Sequence, residues 1–287
     1  MNSSTSNSRG ALIIRSTAVF LVLFIGYNLA VMVAKPAGSF LQSQPEKNAA
    51  VADDYILGER AADTVIVGSS LSARLDESDL GPGFLNLSFA GGTAATGLEI
   101  VDRLERVPKL VLVETNQIRN LDSSFVDARF SPLGRFLKRR IPTARAKYRP
   151  VNLLLGALRK KTGREDLTPD ATVFANLLEE QRRDYENVPD PEWLRSSVTR
   201  MAQQVASLEA KGVRVVFFVL PVYPQLRDLP KARDLLQAFH TTFPPPGNRW
   251  IECPPGDFIT ADGIHLVPQS ARLYAGLLLA ELRHGPQ

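Results

Sequence analysis

Two stretches far apart in the chain hold the side chains with most chemical potential. Gly68-Ser69-Ser70 follows the short β-branched run Thr64 to Val67, and Asp262 stands three residues before His265. A serine hydroxyl is a poor nucleophile until a base takes its proton and the developing oxyanion is stabilised. A histidine serves as that base when an acid fixes its tautomer and orients its ring. Three residues of separation across a turn let the Asp262 carboxylate reach Nδ1 while Nε2 points outward. A third stretch, Asn86 to Thr93 (NLSFAGGT), sets Gly91 and Gly92 ahead of a helical segment, where a backbone N–H approaches a ligand with no side chain between. Each stretch also has a plain structural explanation: a Gly turn with a serine N-cap, a strand-to-helix turn, and an Asp that caps a turn beside a surface histidine. Within the serine turn Ser69 and Ser70 compete. Ser70 is the better nucleophile, because the residue directly after the glycine points away from the site.

These residues need a frame, and the pattern around them supplies one. Gly68 is read as the residue that lets the backbone turn sharply after the first strand. Four more strands follow: Phe84 to Ser88, Lys109 to Glu114, Val213 to Leu220 and Arg249 to Glu252. Helical spacing marks Thr93 to Glu105, Trp193 to Lys211 and Pro268 to Arg283. Apolar strands alternating with helices predict an α/β fold, a three-layer α/β/α sandwich on a mostly parallel five-stranded sheet. Ligands of such a sheet sit at the carboxyl ends of its strands. Leu220-Pro221-Val222-Tyr223-Pro224 ends the fourth strand and is expected to line the same cleft.

Ahead of this frame lies Ser16 to Ala34, 19 residues without charge. At about 1.5 Å per residue it just spans a bilayer core of roughly 30 Å. It is read as an uncleaved signal anchor rather than a cleaved signal peptide, being long for an h-region and followed by a poor cleavage signal. Arg9 and Arg15 in the tail 1–15 favour a cytoplasmic N-terminus, with the remainder on the far side of an inner membrane, in the periplasm. Residues 35–54 read as a linker, and 55–287 as the globular domain, carrying a helical insertion over about 121–191. Within the insertion, Arg129 to Arg164 holds twelve Lys or Arg and no acid, so the remainder of a chain of net charge +4 is net −8. The segment reads as a solvated basic face, as a surface for anionic headgroups or a membrane partner, or as a site for an anionic polymer; the extracytoplasmic placement argues against nucleic acid. One cysteine, Cys253, excludes an internal disulfide and a cysteine-rich zinc site, and a multi-histidine centre would need nearly all of His240, His265 and His284.

Taken together, Gly68-Ser69-Ser70, Asn86 with Gly91, the strand Val111 to Glu114 leading to Asn116, and Asp262 with His265 resemble the SGNH, or GDSL-type, hydrolase superfamily in order and spacing. The resemblance covers the globular domain outside the insertion. It implies Ser70 as nucleophile, His265 as general base and Asp262 as its orienting acid, with no metal or organic cofactor. It also implies an oxyanion hole from the Ser70 and Gly91 N–H groups and Asn116, for which Asn120 is an alternative. The sequence departs from the family where Ser69 replaces the usual Asp and where Asn116 lies close to the strand end. With its anchor and insertion, the layout is similar to membrane-tethered proteins that work beside membrane-bound O-acyltransferases on cell-envelope polymers. The expected function is acyl transfer or ester hydrolysis through an acyl-Ser70 intermediate on an acylated carbohydrate. The rival expectation is a non-catalytic membrane scaffold or polysaccharide-binding protein on the same fold.

Overall fold

The computed structural model describes residues 5–36, 40–158, 170–245 and 249–284. Residues 1–4 of the tail, 37–39 of the linker and the basic residues Arg159, Lys160, Lys161 and Arg164 lie outside them. Five strands form one sheet: β1 (Thr64–Val67), β2 (Phe84–Asn86), β3 (Leu110–Glu114), β4 (Arg214–Phe218) and β5 (Arg249–Ile251). Their order is β2-β1-β3-β4-β5, and every neighbouring pair is parallel. The twelve helices among the described residues are α1 (Thr5–Ala34), α2 (Gln44–Ile56), α3 (Glu77–Leu80), α4 (Ala94–Asp102), α5 (Ser123–Phe130), α6 (Pro132–Arg140), α7 (Pro150–Leu158), α8 (Ala171–Glu186), α9 (Pro191–Ala210), α10 (Pro224–Arg227), α11 (Pro230–Thr242) and α12 (Pro268–His284).

The strands are apolar at successive positions because both faces of the sheet are covered. Val65, Val67, Val111, Val113 and Phe217 point into one core, with Leu98 of α4, Met201 of α9 and Phe239 of α11. Ile66, Leu112, Val216 and Phe218 point into the other, with Leu226 of α10 and Tyr274 of α12. Each such fully buried side chain contributes about 1.5–3 kcal/mol, and period-two alternation sends neighbours to opposite cores. Helix α4 lies tight on β1: a Cβ at Gly97 would stand 2.7 Å from the Val67 Cβ. Strand β1 continues to its outer neighbour β2, whereas β3 continues across to β4 on the other side. The carboxyl ends of β1 and β3 therefore flank the point where strand order reverses, the place where open parallel sheets bind ligands.

By internal contacts the chain divides into two compact units, Met1–Ala50 with Ser131–Lys161, and Val51–Phe130 with Thr162–Gln287. The second unit holds the sheet. The first holds α1, whose stretch Gly10–Ala34 is long and apolar enough to cross a membrane, and it extends several residues ahead of the Ser16 start expected. Residues 131–158 of the basic segment belong to that first unit and fold onto α1, whereas Arg129 belongs with the sheet. Thr143 donates from its N and Oγ1 to Asn28 Oδ1 at 3.1 Å each, and Tyr27 OH donates to the Tyr148 carbonyl at 2.8 Å. The single insertion expected over 121–191 is thus shared: α6 and α7 belong with α1, whereas α5 and α8 belong with the sheet. The second half of the expected linker is helical too. Helix α2 forms because Ala49, Ala50 and Ala52 favour helix and because Tyr55 and Ile56 gain burial.

Candidate active site

The serine turn is organised from below by a carboxylate. Glu114, the last residue of β3, has no exposed surface. It accepts from Ser69 N at 2.7 Å, Ser69 Oγ at 2.8 Å, Ser72 N at 3.2 Å and Ser72 Oγ at 2.6 Å. Ser72 Oγ also lies 2.8 Å from Ser88 Oγ, which joins the turn to the loop after β2. Gly68 has an ordinary backbone conformation, so it is required for space: a Cβ there would meet Ser72 Oγ at 2.1 Å and Glu114 Oε2 at 2.5 Å. The sequence reading, by contrast, assigned Gly68 the part of letting the backbone turn sharply. Burial pushes the Glu114 pKa above the usual carboxylate value, and the hydrogen bonds from Ser72 and Ser69 offset only part of that. With Ser69 turned inward onto Glu114, Ser70 is the hydroxyl that the turn leaves partly exposed.

The other half of the site is one turn before α12. His265 Nε2 lies 2.8 Å from Ser70 Oγ, and His265 Nδ1 lies 2.6 Å from Asp262 Oδ2. Asp262 Oδ1 accepts the backbone N–H of His265 at 2.8 Å and of Ile264 at 3.1 Å. The carboxylate thereby fixes the backbone that carries the ring as well as the ring itself. Buried Ile264 and Leu266 anchor the turn on either side of the histidine. Tyr223 N donates to the Gly263 carbonyl at 2.7 Å, so the proline-flanked loop after β4 braces it from a third direction. Burial acts to raise the Asp262 pKa, but hydrogen bonds from the His265 ring, the His265 N–H and the Ile264 N–H outweigh it and hold the group below the usual range. Asp262 is therefore ionised at neutral pH and can only accept at His265 Nδ1, which turns Nε2 toward the Ser70 hydroxyl.

Gly91 lies in the loop after β2 with φ +72°, a left-handed conformation that glycine adopts without a Cβ penalty. Gly92 N closes this turn on the Phe89 carbonyl at 2.8 Å, and Phe89 N donates to the Gly68 carbonyl at 3.1 Å. Among the described residues neither the Ser70 nor the Gly91 N–H has a hydrogen-bond partner. The asparagines are placed differently. Asn116 Nδ2 donates to the Leu220 carbonyl at 2.8 Å, and its Oδ1 accepts Leu220 N at 2.7 Å. It extends the β3–β4 pairing by one side-chain rung. Asn120 Oδ1 accepts from Trp193 Nε1 at 3.3 Å. Asn86 is occupied as well, donating to the Ser72 and Leu75 carbonyls at 2.7 and 2.8 Å. The structure thus brings Ser70, His265 and Asp262 together and engages Asn116 and Asn120 elsewhere.

A cavity of about 260 Å³ opens at the carboxyl ends of β3, β4 and β5, lined by Thr115, Asn116, Tyr185, Leu220, Arg227 and Cys253 among others. Tyr185, one of the lining residues, is buried. Burial, then the charges of Glu114, Asp184 and Asp262, push its phenol pKa up. Among the described residues no three His, Cys, Asp or Glu side chains gather as a metal site requires. Neither a protein-family model nor a curated protein matches the sequence.

Proposed function

We propose that the chain is a serine-dependent acyl-transfer enzyme, an esterase or O-acyltransferase acting on acylated carbohydrate of the cell envelope or an exopolysaccharide. The observation that carries this reading is the continuous relay Ser70 Oγ–His265 Nε2 and His265 Nδ1–Asp262 Oδ2, at 2.8 and 2.6 Å. Ser70 Oγ attacks the ester carbonyl as its proton passes to His265 Nε2. The carbonyl oxygen becomes an oxyanion held by the Ser70 and Gly91 N–H groups. Collapse breaks the ester bond, and the leaving alkoxide takes the proton from His265, leaving acyl-Ser70. A water or sugar hydroxyl then gives its proton to His265, attacks the acyl carbon and releases Ser70, which recovers the proton. Asp262 stays ionised throughout and stabilises the imidazolium. The engaged amide of Asn116 leaves a two-donor oxyanion hole in this scheme.

The carbohydrate substrate rests on the SGNH resemblance, as does the three-layer sandwich, which the two cores flanking the sheet support. The apolar N-terminal helix supports a single-pass protein of the inner membrane, and we place the catalytic unit on the periplasmic side, beside a membrane-bound acyltransferase partner. No cofactor enters the scheme. A fluorophosphonate probe tests the chemistry. Labelling of the wild-type chain that disappears in Ser70→Ala and persists in Ser69→Ala is expected. A folded wild-type chain that takes no label would remove the enzymatic reading, and a label lost only in Ser69→Ala would move the nucleophile.

A further inference from the structure

Outside α1, helices α6 and α7 carry most of the exposed large apolar side chains among the described residues. Leu133 and Phe136 on α6 are 67% and 59% exposed, and Leu154 and Leu158 on α7 are 59% and 70% exposed. Their spacing, three residues apart on α6 and four apart on α7, puts each pair on one helix face. The same segment is strongly basic: residues 131–158 carry seven Lys or Arg, three of them the consecutive Lys138, Arg139 and Arg140 that end α6, and no acid. Apolar stripes edged by cations and free of carboxylates match the boundary between acyl chains and anionic headgroups.

The first unit also fixes the depth at which these helices lie. The turns between them, Pro142–Ala144 and Ala146–Tyr148, are bonded to Asn28 and Tyr27 of α1. Those residues stand roughly two turns, about 9 Å, before Ala34, where the apolar helix ends. The stretch Gly10–Ala34 is 25 residues, about 37 Å long, and exceeds a hydrocarbon core of roughly 30 Å. Arg15 keeps the early part of the stretch out of that core, so uncharged Ser16–Ala34 fills it. The turns bonded to Asn28 and Tyr27 lie about 9 Å inside its end, the depth of an interfacial helix. Asn28 and Val31 are buried there at 7% and 5% exposure, so the bracing is a packed contact.

We propose that α6 and α7 are interfacial helices that lie on the bilayer α1 crosses, with Leu133, Phe136, Leu154 and Leu158 in the upper acyl region and Lys138, Arg139 and Arg140 on anionic phospholipid headgroups. The full chain is then held by one crossing and two surface contacts. This is tested with full-length protein in vesicles of phosphatidylcholine with or without phosphatidylglycerol. On a Cys253→Ser background, an environment-sensitive fluorophore is attached at Phe136→Cys, Leu154→Cys or, as a reference in the sheet unit, exposed Thr199→Cys. Labels at 136 and 154 should be quenched by shallow doxyl lipids and shielded from aqueous iodide, with the reverse at 199. Replacing Lys138, Arg139 and Arg140 together with Ala should weaken lipid quenching at 136 several-fold in the anionic vesicles and little in the neutral ones. Iodide quenching at 136 and 154 equal to that at 199 in both vesicle types would overturn the proposal and leave a membrane protein as the cover of this face. Equal lipid quenching with and without the three cations would overturn the headgroup contact.

Discussion

Asp262 accepts three hydrogen bonds from the turn that contains it, so its removal affects alignment and charge together. Asp262→Asn is expected to slow fluorophosphonate labelling by on the order of 10³–10⁴, because the amide favours the tautomer that cannot accept from Ser70. Its folded pKa lies below the ordinary value of 3.8. The stability it contributes is fully present above that value and is lost as pH falls through the folded one. Acid unfolding of Asp262→Asn should accordingly show a flatter limb below pH 3.8 than the wild-type chain. Glu114 has the opposite sign. Its pKa is raised above 4.5, so its contribution is present below that value and is lost as pH rises through the folded one. Glu114→Gln removes this pH dependence and keeps an acceptor for Ser69 and Ser72. Glu114→Ala strands their buried donors at about 1–3 kcal/mol each and should lose at least about 3 kcal/mol in denaturant unfolding. Equal stabilities of the Gln and Ala variants would show that the turn does not depend on the carboxylate for its shape.

At the level of elements, α4 begins three residues after Gly91 and packs directly on β1. A Cβ at Gly97 would lie 2.7 Å from Val67 and 3.2 Å from the Leu87 carbonyl. Gly97→Ala should cost about 1–3 kcal/mol of overpacking strain and also reduce labelling by displacing α4; an unchanged melting temperature and labelling rate would show that α4 yields freely. The five strands and helices α1, α4, α9 and α12 were legible in the sequence, because buried parallel strands read as unbroken apolar runs and amphipathic helices show their period. The relay was legible for a related reason: its acid and base share one turn, and its serine follows a strand and a glycine. Three features were not. Glu114 was read only as the end of the apolar run KLVLVE, although a lone acid closing such a strand is a signal for a buried polar network. The side-chain pairing of Asn116 with Leu220 depends on β3 and β4 being neighbours, which no local pattern encodes. The division of the 121–191 insertion between two units depends on contacts with α1, more than a hundred residues earlier.

Taken whole, the chain separates its charges: residues 129–164 hold twelve Lys or Arg and no acid, and the remainder, which includes Ser70, Asp262 and His265, is net −8. Asn28 and Tyr27 are polar residues of α1 that fasten the turns at Thr143 and Tyr148 to it. Asn28→Leu should raise hydrogen exchange at the Thr143 amide, which loses its acceptor, while labelling of Ser70 stays unchanged; undiminished protection at Thr143 would show that the clamp is not needed. The span of the relay has a consequence in time. Ser70 and His265 are 195 residues apart, with β2, β3, β4 and β5 between them in the chain. At a synthesis rate of about 5–20 residues per second, the serine is made on the order of 10–40 s before its base exists. During that interval the nascent chain carries an ordinary, unactivated hydroxyl. On the proposed mechanism, the serine therefore gains its base only once the last stretch of the chain has been made.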